Sequence, residues 1–306
     1  MLFNFFLGNV PTDRLKTLPD LVSPIRHGLV EAGHSVAAYG LGLLPAPAIN
    51  LLVEFFPDDA FVARLLAMKA EAPERLVLGL LCADDLAGVA ASPEDTRRAE
   101  NRRRMARAAD FIWTILPQGS EFEALCGAGR AAPLEFGYSE RLVNRRLIAA
   151  PGLRDLDVVL DGAETPRRRA ILDGLARHGL KCFISGARML PAFATADLAR
   201  RTKIFLDARG TDAGRFTSPR RIAKGLHNGA LVVAEKPAPG GEGGLDAFTV
   251  GCDPATLVER CVATIKSGMS VNLGLAALAD FRAKTSMRAN VARAMALPVF
   301  ERLGRA

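Results

Sequence analysis

Aromatic side chains are scarce in this 306-residue chain, which has one Trp, two Tyr and an aromatic share of 6%. An extended base-stacking surface needs many such rings, so no nucleic-acid partner is expected. Cysteine is sparse too, and Cys82, Cys126, Cys182, Cys252 and Cys261 are scattered without a C-x-x-C pair. They read as reduced, buried thiols of a cytosolic protein, and structural zinc is not expected. No uncharged apolar run reaches 18 residues, which excludes an ordinary transmembrane helix. Met1 to Leu7 lacks a basic leading region and a small-residue cleavage site, so it reads as a first buried strand instead of a secretion signal. Neither G-x-G-x-x-G nor a Walker pattern occurs, and the run Gly240 to Gly244 is weak evidence for phosphate binding when it stands alone.

What is present is an ordinary supply of core residues, 49% apolar against 24% charged. The 28 Gly and 18 Pro form no long biased tract, so disordered, collagen and solenoid classes fall away. The length favours two domains over one. Net charge is +7, carried mostly by Arg. Guanidinium offers a planar two-pronged fork, which suits phosphate and carboxylate. Nucleic acid, an anionic membrane face or a nucleoside diphosphate would each satisfy that field, and charge alone does not choose.

Apolar runs alternate with helical patterns almost throughout. Strands are expected near Leu2 to Leu7, Ser35 to Tyr39, Ala48 to Phe55, Leu76 to Cys82 and Asp110 to Leu116. Between them, Ser92 and Pro93 open an Arg-rich helix with Glu94 and Asp95 in its first turn. The stretch from Gly127 to Asp155 has weak periodicity, and the domain change is placed there, giving domains 1–150 and 151–306. A second alternating block follows, with strands at Asp157 to Leu160, Leu180 to Ile184, Lys203 to Ala208 and Ala230 to Ala234. From Asp253 onward the chain reads as helical. This pattern predicts an α/β protein of two doubly wound, Rossmann-like domains facing a central cleft, with a helical C-terminus. Such sheets bind ligands beyond the carboxyl ends of their strands.

The second block also carries a resemblance. Asp157-Val-Val-Leu-Asp-Gly162, then Glu164-Thr-Pro-Arg-Arg168 and Ala170-Ile-Leu172, resembles glycosyltransferases of the two-Rossmann (GT-B) fold. It looks particularly like the bacterial spore-maturation-type and related family-one-like proteins. Lys203-Ile-Phe-Leu206, Ser218-Pro-Arg-Arg221-Ile222 and Gly229-Ala-Leu-Val-Val-Ala-Glu235 are similar to their later strand, donor helix and following strand. The resemblance spans about Asp157 to Glu235, with a weaker echo at Gly28 to His34.

It implies transfer of a sugar from a nucleotide-diphosphate sugar to a glycan, lipid-linked or protein acceptor, without a metal or other cofactor. The donor would lie against the second domain and the acceptor against the first. A non-catalytic nucleotide- or glycan-binding module on the same scaffold, or a nucleotide-sugar epimerase, are the alternatives. Two departures bear on that choice: Lys224 stands where many relatives carry a ribose-holding Glu, and Thr217-Ser218 stands where others carry an acid.

A departing diphosphate needs basic side chains and a helix N-terminus. The candidates are the helix opening at Ser218 with Arg215 and Arg221, and the turn of Gly162, Glu164 and Arg168. Each has a plain alternative, a solvated helix start. Ser185 and Arg188 would border the nucleobase, Glu235 would accept from sugar hydroxyls, and Lys224 sits one helical turn from Arg221. In the first domain Gly8 and Asn9 suit close approach to the transferred group, and Asp13 is the candidate general base of an inverting reaction. The acid pairs Asp84-Asp85 and Asp155-x-Asp157 read as non-ligating, so no metal residues are assigned. The arginine cluster from Arg97 to Arg104 reads as a solvated face. Its sharper alternative is contact with anionic lipid, which would put a cytoplasmic chain at the inner membrane face.

Overall fold

The structure is a computed structural model. It describes every residue except 13, 17, 41, 89–91, 144–150, 187–189, 213 and 306, and gives only the backbone of 38, 39, 151 and 305. In chain order the main elements begin β1 (Leu2–Phe6), α1 (Pro19–Glu31), β2 (Ser35–Gly40), β3 (Ile49–Val53), α2 (Asp59–Glu71), β4 (Val77–Cys82), α3 (Pro93–Ala108), β5 (Phe111–Thr114), α4 (Gly119–Cys126) and β6 (Ala131–Pro133). Then come β7 (Leu156–Leu160), α5 (Pro166–Arg177), β8 (Cys182–Ile184), α6 (Ala192–Arg201), β9 (Thr202–Asp207), α7 (Pro219–His227), β10 (Leu231–Glu235) and β11 (Val250–Cys252). Four helices follow, α8 (Leu257–Lys266), α9 (Ser270–Lys284), α10 (Met287–Ala294) and α11 (Pro298–Arg305). No single helix among the described residues is long and apolar enough to cross a membrane.

The chain forms two compact units. One comprises Met1–Leu15, Ile25–Glu135 and Arg288–Ala306; the other comprises Lys16–Pro24 and Phe136–Met287. This grouping differs from a cut at residue 150 in three places. Lys16–Pro24 and the chain from Phe136 onward go with the second unit, and the C-terminal segment goes with the first. Packing accounts for the latter, because Phe300 stacks on Trp113 and the Trp113 indole donates to the Ala294 carbonyl at 3.1 Å.

The first unit is a six-stranded parallel sheet of order β2-β1-β3-β4-β5-β6. Its inner strands Ile49–Val53 and Val77–Cys82 are buried at every position. Burial at every position suits parallel strands covered on both faces, and the one polar residue here, Asn50, is hydrogen-bonded to Asn4. At the start of α3, Ser92 accepts from the Asp95 amide at 3.1 Å with Pro93 in the first turn, the opening its sequence predicts. One reading changes: Arg102 is not solvated but buried, 3.1 Å from Glu54 at the end of β3, whereas Arg97, Arg103 and Arg107 remain exposed.

The second unit is a five-stranded parallel sheet of order β11-β10-β9-β7-β8. The chain leaves β7 for β8 on one side, then returns to lay β9 on the other side of β7. Strand order therefore reverses between β7 and β9. Crossing helices depart to opposite faces there and leave a crevice at the carboxyl edge.

Candidate functional site

The reversal point between β7 and β9 gathers several charged residues of the second unit. β7 runs out into Asp161 and Gly162, and β9 ends at Asp207. Two helices start beside them, α5 and α7. At α5 the Thr165 hydroxyl accepts from the Arg168 amide at 3.3 Å, and Pro166 fits the first helical position, where no amide is needed.

Two guanidinium groups occupy the crevice, from Arg168 on α5 and Arg221 on α7. Arg168 is 7% exposed. Its Nε donates to the Ala208 carbonyl at 3.0 Å, and its Nη1 to the Ala163 carbonyl at 2.8 Å. Arg221 is held in the same manner. Its Nη1 donates to the Asp161 carbonyl at 3.1 Å, and its Nε lies 2.7 Å from an Asp207 carboxylate oxygen. That last contact is an ion pair by distance, although the N–H is not aimed along a hydrogen-bond direction. Both side chains thus span β7 and β9 by two nitrogens. The Nη2 of each has no hydrogen-bond partner among the described residues.

The electrostatics are unusual at Arg168, which makes no ion pair among the described residues. Burial and the neighbouring Arg221 push its pKa down to about 10. It stays cationic at neutral pH, in surroundings that lack a paired anion. Gly162 explains how the two groups fit: a Cβ there would stand 3.0 Å from Arg168 Nη1 and 3.1 Å from Arg221 Nη1.

Around this pair Arg167, Arg209 and Lys224 are already matched. Glu235, 1% exposed at the end of β10, accepts from Arg167 Nη1 at 2.6 Å and from Arg209 Nε at 2.9 Å. Lys224 is buried on α7, donates to Asp161 at 2.6 Å and to Thr195 at 3.0 Å, and also pairs with Asp20. Burial pushes the Asp161 carboxyl up, but Lys224, a hydrogen bond from Ser185 and nearby Arg221 outweigh it and hold the group below its ordinary value. Asp207 accepts from the Ser218 amide at 2.7 Å, so a carboxylate already meets the residue that precedes α7.

The structure therefore brings Gly162, Arg168, Ser185, Ser218, Arg221 and Lys224 to one edge, with Glu235 on the neighbouring strand. Glu164 is turned to Arg169 in a partly exposed pair. Arg215 lies with its guanidinium 4.7 Å over the ring of Phe216. Asp13 and Arg188 fall outside the described residues. Gly8 and Asn9 belong to the first unit, where Asn9 Nδ2 donates to the Val53 and Phe55 carbonyls, both at 2.6 Å, and so ties β1 to β3. Strand order reverses in that sheet between the same two strands. Nearby, Glu54 accepts from the amides of Ala83 and Asp84, and its pKa is pushed up to about 7, chiefly by burial, then by Asp84, against the pull of Arg102.

Asp161, Asp207, Arg167 and Arg209 are not among the site residues that the sequence singles out. Asp161 and Asp207 do carry a signal, since each is an acid at the carboxyl end of a buried strand. Among the described residues no three His, Cys, Asp or Glu side chains are grouped to hold a metal ion. Asp157 instead pairs with Lys203 at 2.7 Å, and Asp155 with Arg201.

No family model matches the chain, and no curated protein matches it in sequence. Solved structures do match in fold. A T4 phage β-glucosyltransferase, described in complex with UDP and Mn²⁺, has a TM-score of 0.54 at 10% identity, over 96% of this chain and 97% of that one. A point mutant of that enzyme, described in complex with UDP-glucose, gives the same values. An α1,3-fucosyltransferase has a TM-score of 0.52 at 9% identity, over 100% of this chain and 90% of that one. The fold is of the two-Rossmann (GT-B) type, two parallel α/β sheets with flanking helices and a helical C-terminus. At this identity the likeness is one of fold.

Proposed function

We propose that this chain is a glycosyltransferase that takes its sugar from a nucleoside-diphosphate sugar bound at the carboxyl edge of the second sheet. The observation that carries the reading is the pair of guanidinium groups, Arg168 and Arg221, buried at the strand-order reversal. Each is fixed by two nitrogens and leaves Nη2 without a partner. Arg168 is buried without an ion pair, which is costly, and an arriving diphosphate would offset that cost. Carbonyl-anchored arginines are also preorganised, so little order is lost when an anion is bound.

Fold likeness supports the same class, since the T4 phage enzyme and its mutant are described with UDP, Mn²⁺ and UDP-glucose. The finer resemblance to spore-maturation-type enzymes rests on the residue pattern from Asp157 to Glu235. Offsetting the diphosphate by arginines in place of a metal is part of the proposal. So is an acceptor of glycan, lipid-linked or protein type in the first unit, where Gly8 and Asn9 close the end of β1. The exposed Arg97, Arg103 and Arg107 of α3 are the residues that would meet an anionic membrane face. Chemically, the two guanidiniums would bind and orient the diphosphate and stabilise charge that builds on it as the bond to the sugar breaks.

The test is slow donor hydrolysis. Incubated with UDP-glucose, with or without EDTA, the chain is expected to release UDP at a rate that falls sharply in the Arg221→Ala variant. Tight binding without any release would favour a binding module, and interconversion of free nucleotide sugars would favour an epimerase.

A further inference from the structure

Asp207 is the most deeply placed carboxylate in contact with the guanidinium pair, 3% exposed at the end of β9. Its two oxygens serve α7 and the residue just before it. Oδ1 lies 2.7 Å from Arg221 Nε, and Oδ2 accepts from the Ser218 amide at 2.7 Å. A bare carboxylate beside an anion-binding site should repel the anion, so its place there calls for a compensating role. The geometry supplies one. With Nε drawn to Asp207 and Nη1 donated to the Asp161 carbonyl, the Arg221 fork is held from two sides, and only Nη2 is left to present. We propose that Asp207 is a positioning residue for phosphate recognition: it aims the Arg221 guanidinium and fixes the start of α7, and it does not itself touch the ligand.

This inference rests on the donor-site reading above and adds a residue to it. Losing the Asp207 charge frees Arg221 to swing among its rotamers, which costs more than the repulsion that is relieved, because a mobile arginine must be ordered again on binding. The isosteric Asp207→Asn retains an oxygen for the Ser218 amide and sets an NH2 donor against Arg221 Nε, so the hold on Arg221 is lost.

The experiment is a double-mutant cycle read by calorimetric titration of UDP, with melting temperatures checked for each variant. Asp207→Asn is expected to weaken UDP binding about tenfold in the parent chain, the loss of one charge-assisted contact. In the Arg221→Ala background it is expected to change binding by less than about twofold. Equal weakening in both backgrounds, or unchanged or tighter binding in the parent chain, overturns the role. If Asp207→Asn does not fold, Asp207→Glu takes its place; it keeps the charge, shifts it by one methylene and is expected to show the same dependence on Arg221. The donor-site reading fails separately, if the parent chain binds no UDP or Arg221→Ala binds it undiminished.

Discussion

At the residue scale, the division of labour among the cations decides the reading. Arg167 and Arg209 are matched by Glu235, Lys224 by Asp161 and Asp20, and Arg221 by Asp207, which leaves Arg168 as the buried cation of this edge without an ion pair among the described residues. Replacing Arg168 with Ala is expected to weaken UDP binding by about 1.5–3 kcal/mol, as for a lost hydrogen bond to a charged group, measured by calorimetry. The same change should cost the empty chain little or even stabilise it, since the removed cation was buried without an anion. Glu54 gives a second test. Its pKa of about 7 lies above the ordinary 4.5, so the folded chain holds this proton at pH values where the unfolded chain has lost it. Stability from this group is present below about pH 4.5, declines as pH rises, and is gone above about 7, a change of up to about 3 kcal/mol. Melting temperatures followed from pH 5 to pH 8 should therefore fall less steeply in Glu54→Gln than in the parent chain.

At the scale of elements, the site is a product of where strands end and helices begin. Gly162 has φ +135°, a backbone conformation that side chains rarely adopt, and the space above it is filled by both guanidiniums. Gly162→Ala should therefore lower both the melting temperature and UDP affinity. Gly179→Ala is the control: φ is +79° there, but nothing lies within 4 Å of the added carbon, so only stability should fall, by about 1–3 kcal/mol.

Much of this layout was legible in sequence, because strands such as Val77–Cys82 are continuous apolar runs and helices such as α3 carry Ser-Pro openings with acids behind them. Two short strands were not, although the equally short β8 was. Ala131–Pro133 and Val250–Cys252 have three residues each and lie at sheet edges, and their pairing comes from neighbours instead of any periodicity of their own. The arginines Arg168 and Arg221 could be named from their place after a strand or at a helix start. Which acids would neutralise which cations could not, since Lys224 meets Asp20 from 204 positions away in the chain.

At the scale of the whole molecule, the basic surplus is unevenly shared. Lys16–Pro24 and Phe136–Met287 hold 24 of the 40 Lys and Arg but only 16 of the 33 Asp and Glu, while the other unit is close to neutral. A field of this sign draws anions to the unit that carries the guanidinium pair. UDP affinity should accordingly fall several-fold as ionic strength rises from about 0.05 to about 0.5 M, and EDTA should leave it unchanged. The measurement that bears most directly on the account is a crystal structure of the chain soaked with UDP. The account predicts phosphate oxygens within about 3 Å of Nη2 of both Arg168 and Arg221, at the carboxyl ends of β7 and β9. A diphosphate bound elsewhere, with both guanidiniums still touching only their carbonyls and Asp207, would contradict it.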